Sequence, residues 1–310
     1  MSAHVLAWHD TPPADCRGGA VSVGNFDGVH RGHAALIKEL RRQAQAIAGP
    51  AVALTFDPHP LEVLRPEQFL PQLTLLADRI ENLHEVGVHQ VLVLRVTPDL
   101  LQLRAAEFFD FILRERLAAR AIVEGYNFGF GRNREGNVET LTSLCQQHGL
   151  ALSIVPPLLV DAVPVSSSRV RNCLTSGDVR AAADLLDRPY RLRGVVGTGQ
   201  RRGRTLGFPT ANLEGIQTVV PGNGVYAVRV QMGDASWPGA ANVGPNPTFD
   251  EFVRKVEVHL IDFEGDLYGK PIALDFLARL RDTRPFAGPA DLVRQLTEDV
   301  HAARRIAAGI

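Results

Sequence analysis

An α/β domain with a parallel sheet, followed by a small β-barrel or sandwich closed by one helix, is the fold that the sequence predicts. Three observations predict it. Through residue 187, short β-rich runs alternate with amphipathic stretches of helical spacing, the rhythm of a parallel sheet covered by helices. From Tyr190 onward helical periodicity is nearly absent until Asp291, and short runs are separated by turns rich in Gly and Pro. A chain of 310 residues exceeds what one core usually serves, so two domains follow, 1–187 and 188–310, divided in the segment Asp187–Pro189.

The elements follow in order. Ala20–Val23 reads as a strand, His33–Ala48 as a helix and Val52–Phe56 as a second strand. A helix around Asp78–Glu85 precedes the strand Val91–Val96, and a helix over Ala105–Leu117 precedes the strand Ala121–Glu124. Val138, Leu141, Leu144 and Cys145 line one face of a helix over Val138–His148, the strand Leu152–Val155 follows, and Asp178–Leu186 closes the domain as a helix. In such sheets chemistry sits beyond the carboxyl ends of strands, here the loops after Val23, Phe56 and Glu124. In the second domain Tyr190–Val196, Gly224–Val230 and Val253–Ile261 read as strands, and Leu292, Leu296 and Val300 form the apolar stripe of a terminal helix.

Composition narrows the function. The chain is 45% hydrophobic and 22% charged, with a formal net charge of −1, so any anion site is local and nucleic acid or membrane partners are not expected. Three widely spaced cysteines, Cys16, Cys145 and Cys173, exclude a disulfide framework and a Cys-based zinc cluster and suit a reducing cytoplasm. The start MSAHVLAWHD has no signal-peptide pattern, and no run approaches the ~18 apolar residues of a membrane span. The sequence leaves open whether the chain forms a homo-oligomer.

Two constellations carry the chemistry. The first strand runs into Gly24-Asn25-Phe26-Asp27-Gly28-Val29-His30-Arg31-Gly32-His33, then directly into a helix. Two histidines three apart at a helix start, with backbone N–H donors and the helix dipole beside them, suit a phosphate better than a metal, because no carboxylate or third His completes a zinc set. Later, Ser166-Ser167-Ser168-Arg169-Val170-Arg171 stands where another loop enters a helix. Its hydroxyls can cap or bind phosphate oxygens, and Arg171 offers a bidentate fork. The second constellation opens with a basic glycine-rich turn that includes Gly199, Arg201 and Gly207 and is neither a Walker A loop nor G-x-G-x-x-G. It leads to Thr210 and Asn212, two apart on an extended chain, hard oxygen ligands suited to Mg²⁺ carrying nucleotide phosphates. Glu257 sits in the alternating run Val256–Leu260 and reads either as an outward, solvated residue or as a positioned base.

The motifs GNFDGVHRGH, TFDPHP (Thr55–Pro60), GYNFGFGRNREGN (Gly125–Asn137) and SSSRVR, in that order, resemble the H-x-G-H nucleotidylyltransferase superfamily. Within it they resemble the FAD synthetase module of the bacterial bifunctional riboflavin kinase/FMN adenylyltransferase family. PTAN (Pro209–Asn212), GAANVGPNPTF (Gly239–Phe249), VEVH, DFEGDLYGK (Asp262–Lys270) and Leu280-Arg281 resemble its flavokinase module.

The resemblance implies a Rossmann-like nucleotidylyltransferase domain and a riboflavin kinase β-barrel with a terminal helix. The implied substrates are ATP, riboflavin and FMN, with Mg²⁺. It implies catalytic roles for His30, His33 and Arg171 in adenylylation, and for Glu257 as the base in phosphorylation. Nucleotide contacts are implied at Gly24, Asn25, Phe26, Gly28, Asn127, Ser167, Ser168, Gly199, Arg201, Gly207 and Thr210. Asp57, His59, Asn127 and Arg281 are expected to shape flavin sites, and Thr210 with Asn212 to hold the metal. Ser168 stands where the family has Thr, and Thr283 and Pro285 depart from its pattern beside Arg281. A chain retaining one activity, or a flavin sensor that turns nothing over, are the rival readings. A sensor has no need of Glu257 or of the histidine pair.

Overall fold

The computed structural model describes residues 2–198, 207–246 and 251–309. The chain divides into two compact units, residues 1–70 with 74–166, and residues 71–73 with 167–310. This division falls before the expected boundary at Asp187, because helices α7 (Ser167–Thr175) and α8 (Val179–Leu186) group with the barrel. α8 packs on two barrel strands, β9 (Tyr190–Gly197) and β14 (Pro271–Arg281), and the Gly222 N–H donates to the Leu174 carbonyl of α7 at 2.8 Å.

The first unit is a six-stranded, all-parallel sheet in the order β1-β4-β3-β2-β5-β6, from β1 (Ser2–Leu6), β2 (Ala20–Val23), β3 (Ala51–Asp57), β4 (Gln90–Arg95), β5 (Ala121–Gly125) and β6 (Ala151–Val155). The inner strands β2 to β5 are buried on both faces and largely apolar, as cover by helices on both sides requires, with Ser22, Thr55 and Glu124 as buried polar exceptions. One face packs Ala20, Ala53, Val91 and Val93 against Ile37 and Leu40 of helix α1 (Arg31–Ala46). The other packs Val21, Leu54, Leu92 and Ile122 against Phe109, Ile112 and Leu113.

Two of the differences from expectation concern the sheet edge and a covering helix. The amino-terminal residues, read only for targeting, form an edge strand on β4, alternately half-buried and exposed. The helix expected over 105–117 begins as a regular turn at Ala105 and continues over Phe109–Arg116 with wider π winding, in which the Leu117 N–H reaches back to the Ile112 carbonyl.

The second unit resolves the barrel-or-sandwich alternative as a closed barrel in the order β10-β13-β12-β11-β14-β9, with β10 (Ala211–Glu214), β11 (Gly224–Met232), β12 (Ala235–Asn246) and β13 (Glu251–Leu260). Every pairing is antiparallel. The terminal helix, Pro289–Ala307, lays Val300, Ala303 and Ile306 on Ala227, Ala240 and Ile261.

Candidate active sites

In the first unit β2 is flanked by β3 on one side and β5 on the other, while α1 leaves from its carboxyl end. That is the point where strand order reverses, the place where α/β sheets open a crevice for ligands. The connecting loop is held in an unusual backbone. Phe26, Gly28 and Val29 have φ of 48°, 85° and 38°, and Phe26 and Val29 are both buried. A β-branched residue at positive φ is costly and persists only where its surroundings fix it. Asp27 does part of this fixing, its Oδ1 accepting from the Thr74 N–H at 3.2 Å, while the Gly28 N–H donates to Thr74 Oγ1 at 3.2 Å.

The loop delivers His30 as the N-cap of α1, with its Nδ1 accepting the His33 N–H at 3.3 Å. In the neutral ring the proton is then on Nε2, a donor suited to a phosphate oxygen. The His30 and His33 rings stack with centroids 3.7 Å apart and 11° between planes. Gly32 is explained by this stack, since a Cβ there would stand 3.1 Å from the His30 ring. Phe26 sets its edge against His33 at 5.4 Å, and Gly24 leaves room for the Phe26 ring.

The loop after β3 meets the same place. The Asn25 carboxamide contacts His59 Nε2 at 2.8 Å, and His59 Nδ1 accepts the Leu61 N–H, capping helix α2 (Pro60–Leu64). Asp57 ends β3 next to the cis peptide bond to Pro58. Arg79, 1% exposed, donates to the Phe56 carbonyl at 3.1 Å. Burial pulls its guanidinium below the ordinary value, opposed by the carboxylates of Asp27 and Asp57, so one cation serves both loops.

Asn127 is exposed on the loop after β5, where its carbonyl accepts from Arg134 at 3.3 Å. Beneath that loop lies a group that sequence reasoning did not single out. Glu124 is 1% exposed and accepts the Val23 N–H at 2.6 Å. An acid at the end of the otherwise apolar run Ala121–Val123 was the available signal. Ser167, Ser168 and Arg171 lie on α7 of the second unit, where Arg171 Nε donates to the Pro71 carbonyl at 3.2 Å.

In the barrel, register assembles the second site. Asn212 of β10 is directly opposite Glu257 of β13, and Asn242 of β12 is opposite Glu257 on its other side. Opposed residues share a face, and the alternate residues Ala211, Val256, Val258, Ala241 and Val243 are buried inside, so the three polar side chains form a row on the outer wall. Sequence reasoning missed Asn242, because the register that sets it opposite Glu257 leaves no local pattern.

It also gave no role to His259, whose Nδ1 donates to the Pro209 carbonyl at 2.8 Å and whose ring meets Phe208 edge-on. The last residue of the VEVH run therefore moors the segment that carries Thr210, which is exposed just before β10. A cavity of about 590 Å³ beside Asn212 is also lined by Thr198, Glu214, Arg254 and Lys255, and the Arg254 guanidinium donates to the Val220 and Pro221 carbonyls. Gly207 is exposed with φ of 86°. Gly199 and Arg201 lie outside the described residues. The Arg281 guanidinium is engaged by Asp299 at 2.8–3.1 Å, and lies 5.5 Å from the Phe286 ring centre.

Cys16 and Cys145 are buried in the first unit. Burial pushes the Cys16 thiol up to about 12 and the Cys145 thiol up to about 11, so both stay protonated near neutral pH. Among the described residues no helix is long and apolar enough to cross a membrane.

A strand-order switch with paired imidazoles at a helix start, and a barrel wall bearing a carboxylate beside oxygen donors, fit a two-part enzyme of phosphate-group transfer. Relatives make the class particular. The FAD synthetase family matches residues 13–169 and the riboflavin kinase family residues 186–307. The bifunctional riboflavin kinase/FMN adenylyltransferase of Pseudomonas fluorescens is 39% identical over 305 residues, covering 98% of this chain and 97% of that protein. The enzymes of the same name from Escherichia coli K12 and Bacillus subtilis are 34% and 33% identical, covering 96% and 92% of this chain and 95% and 91% of theirs. A crystal structure of a macrolide-efflux protein from Streptococcus pneumoniae superposes with a TM-score of 0.87 at 32% identity, covering 98% of this chain and 99% of that one. The chain belongs to the bifunctional riboflavin kinase/FMN adenylyltransferase family.

Proposed function

We propose that the protein makes FAD from riboflavin in two steps at two sites, phosphorylation in residues 188–310 and adenylylation in residues 1–187. The observation that supports this reading is that each unit brings together its own set of polar side chains suited to phosphate chemistry. One has the stacked His30–His33 pair at the start of α1, the other has the Asn212–Glu257 pair on the barrel wall.

In the kinase step Glu257 takes the proton of the riboflavin 5′-hydroxyl as that oxygen attacks the γ-phosphorus of ATP, and ADP leaves. Thr210 and Asn212 offer a hydroxyl and a carboxamide oxygen, a hard donor set that fits Mg²⁺, and the opposed register keeps Asn212 beside the base. Bound there, the ion would neutralise charge on the phosphates. In the adenylylation step a phosphate oxygen of FMN attacks the α-phosphorus of ATP, and pyrophosphate leaves. The nucleophile is already an anion, so no strong base is required. His30, His33 and Arg171 are assigned to stabilising the phosphoryl oxygens. Asn25, Asp57, His59 and Asn127 shape the flavin and nucleotide pockets, with the Asn25–His59 contact holding two of those loops together. The Arg281–Asp299 pair supports a structural part for Arg281 beside any flavin contact.

Free, largely buried cysteines and the use of ATP suit the cytoplasm as the working compartment. Incubation with ATP, Mg²⁺ and riboflavin, with products separated by chromatography, tests the reading. FMN followed by FAD and pyrophosphate is expected, and flavin binding without turnover would overturn it in favour of a sensor.

A further inference from the structure

β2 and β5 pair only through Ala20 with Ala121 and Val21 with Ile122, after which their ladder stops. Further along β2, the Val23 N–H donates not to a backbone carbonyl of β5 but to the side chain of Glu124, at 2.6 Å. On its other side β2 stays paired to the end, and the Gly24 N–H continues to the Leu54 carbonyl at 3.0 Å. The sheet therefore splays on one side only, where the loops after β2 and β5 leave it. In the gap stands a carboxyl that is 1% exposed and has apolar neighbours on its own face of the sheet, Ile122 before it and the cluster of Leu54, Phe130 and Leu141.

Such a group is costly to keep. A buried polar side chain is disfavoured unless it is hydrogen-bonded, and an apolar residue would fill the same space. The acceptor it supplies has a defined consequence, because Val23 is the last residue of β2 and the chain from there leads directly to His30 and His33. Glu124 itself lies three residues before Asn127 on β5. We propose that Glu124 is a positioning residue for adenylyl transfer, a side-chain clasp that replaces the missing ladder bond and holds the histidine loop and the Asn127 loop at a fixed separation. The proposal rests on reading the histidine loop as the adenylylation site. It adds a residue that touches no substrate.

The test uses the full-length enzyme and two variants, each assayed for both activities well below its melting temperature. Glu124→Gln keeps an acceptor for Val23 at nearly the same place. Glu124→Leu removes it and leaves a buried N–H without a partner. Glu124→Gln is expected to adenylylate FMN within about threefold of the parent. Glu124→Leu is expected to lose on the order of tenfold or more in kcat, since small displacements of positioned groups are costly in rate. Riboflavin phosphorylation should be unchanged in both.

Wild-type kcat and KM for adenylylation in Glu124→Leu would overturn the proposal, as would equal damage by Gln and Leu. If Glu124→Leu fails to fold, hydrogen exchange on the unaltered enzyme decides. The Val23 amide must exchange as slowly as its strand neighbours, and exchange at loop rates would overturn the clasp. Absence of FMN adenylylation in the unaltered enzyme would instead refute the underlying reading.

Discussion

Asn212 and Glu257 are directly opposed across the antiparallel ladder of β10 and β13, so a carboxamide and a carboxylate from segments 45 residues apart share one patch of barrel wall. Removal of the carboxylate by Glu257→Ala is expected to lower FMN formation by on the order of 10²–10⁴, the usual worth of a positioned base. FAD formation from supplied FMN should be unaffected. Initial rates of both reactions on one protein preparation check this.

The mooring of the Thr210 segment leads to a second expectation. His259→Ala removes the donor to the Pro209 carbonyl while leaving Glu257 in its strand. The KM for ATP in riboflavin phosphorylation should rise several-fold with adenylylation unchanged, and steady-state kinetics of both reactions read it directly.

Gly32 separates stability from activity. Alanine favours a helix over glycine by about 1 kcal/mol in the interior and by less in the first turn, where Gly32 stands, so Gly32→Ala taken alone should stabilise α1 slightly. The added Cβ would stand 3.1 Å from the His30 ring and 3.3 Å from the Val165 carbonyl, so the stacked pair must shift. Adenylylation should fall about tenfold or more without loss of thermal stability, and phosphorylation should be spared. Melting curves measured beside the two rates show whether activity and stability part company.

Burial holds the Glu124 carboxyl well above the ordinary carboxylate range, and the Val23 N–H only partly offsets this. The folded state thus keeps a proton that the unfolded chain releases near pH 4.3. The stability linked to that proton is complete below about pH 4.3 and is lost as pH rises through the folded value. Glu124→Gln should therefore raise the melting temperature of the amino-terminal unit at pH 8 and leave it nearly unchanged at pH 4, as calorimetry at the two pH values would register.

Asp299 is 4% exposed and receives the Arg281 fork. Asp299→Ala leaves that guanidinium without its partner, at a cost of about 3 kcal/mol to the barrel unit. Denaturant unfolding of the parent and the variant measures it.

Much of this was legible in the chain. The order of the strands β2 to β6 and the main helices between them follows from periodicity, because helices and inner strands each bury a regular set of positions. Val138–His148 was located to the residue, with Asn137 capping its start and Gly149 ending it in the left-handed conformation. His30, His33 and Gly32 were visible because their geometry is local, one turn of helix. β12 was not recognised as a strand, since its Gly, Ala and Pro residues have weak β preference and only its two neighbours hold it in place. Asn242, the mooring role of His259 and the clasp at Glu124 stayed hidden because each depends on which residue the fold sets opposite or beside it, and no local pattern records that.

The most direct measurement mixes two impaired proteins. Glu257→Ala and His33→Ala each leave one step intact if the two sites are independent, so neither alone converts riboflavin to FAD. Together, with ATP and Mg²⁺, they should make FAD at a substantial fraction of the parent rate, the FMN formed by one serving the other. A mixture that makes no FAD, while each variant is folded, would contradict the assignment of two separate sites.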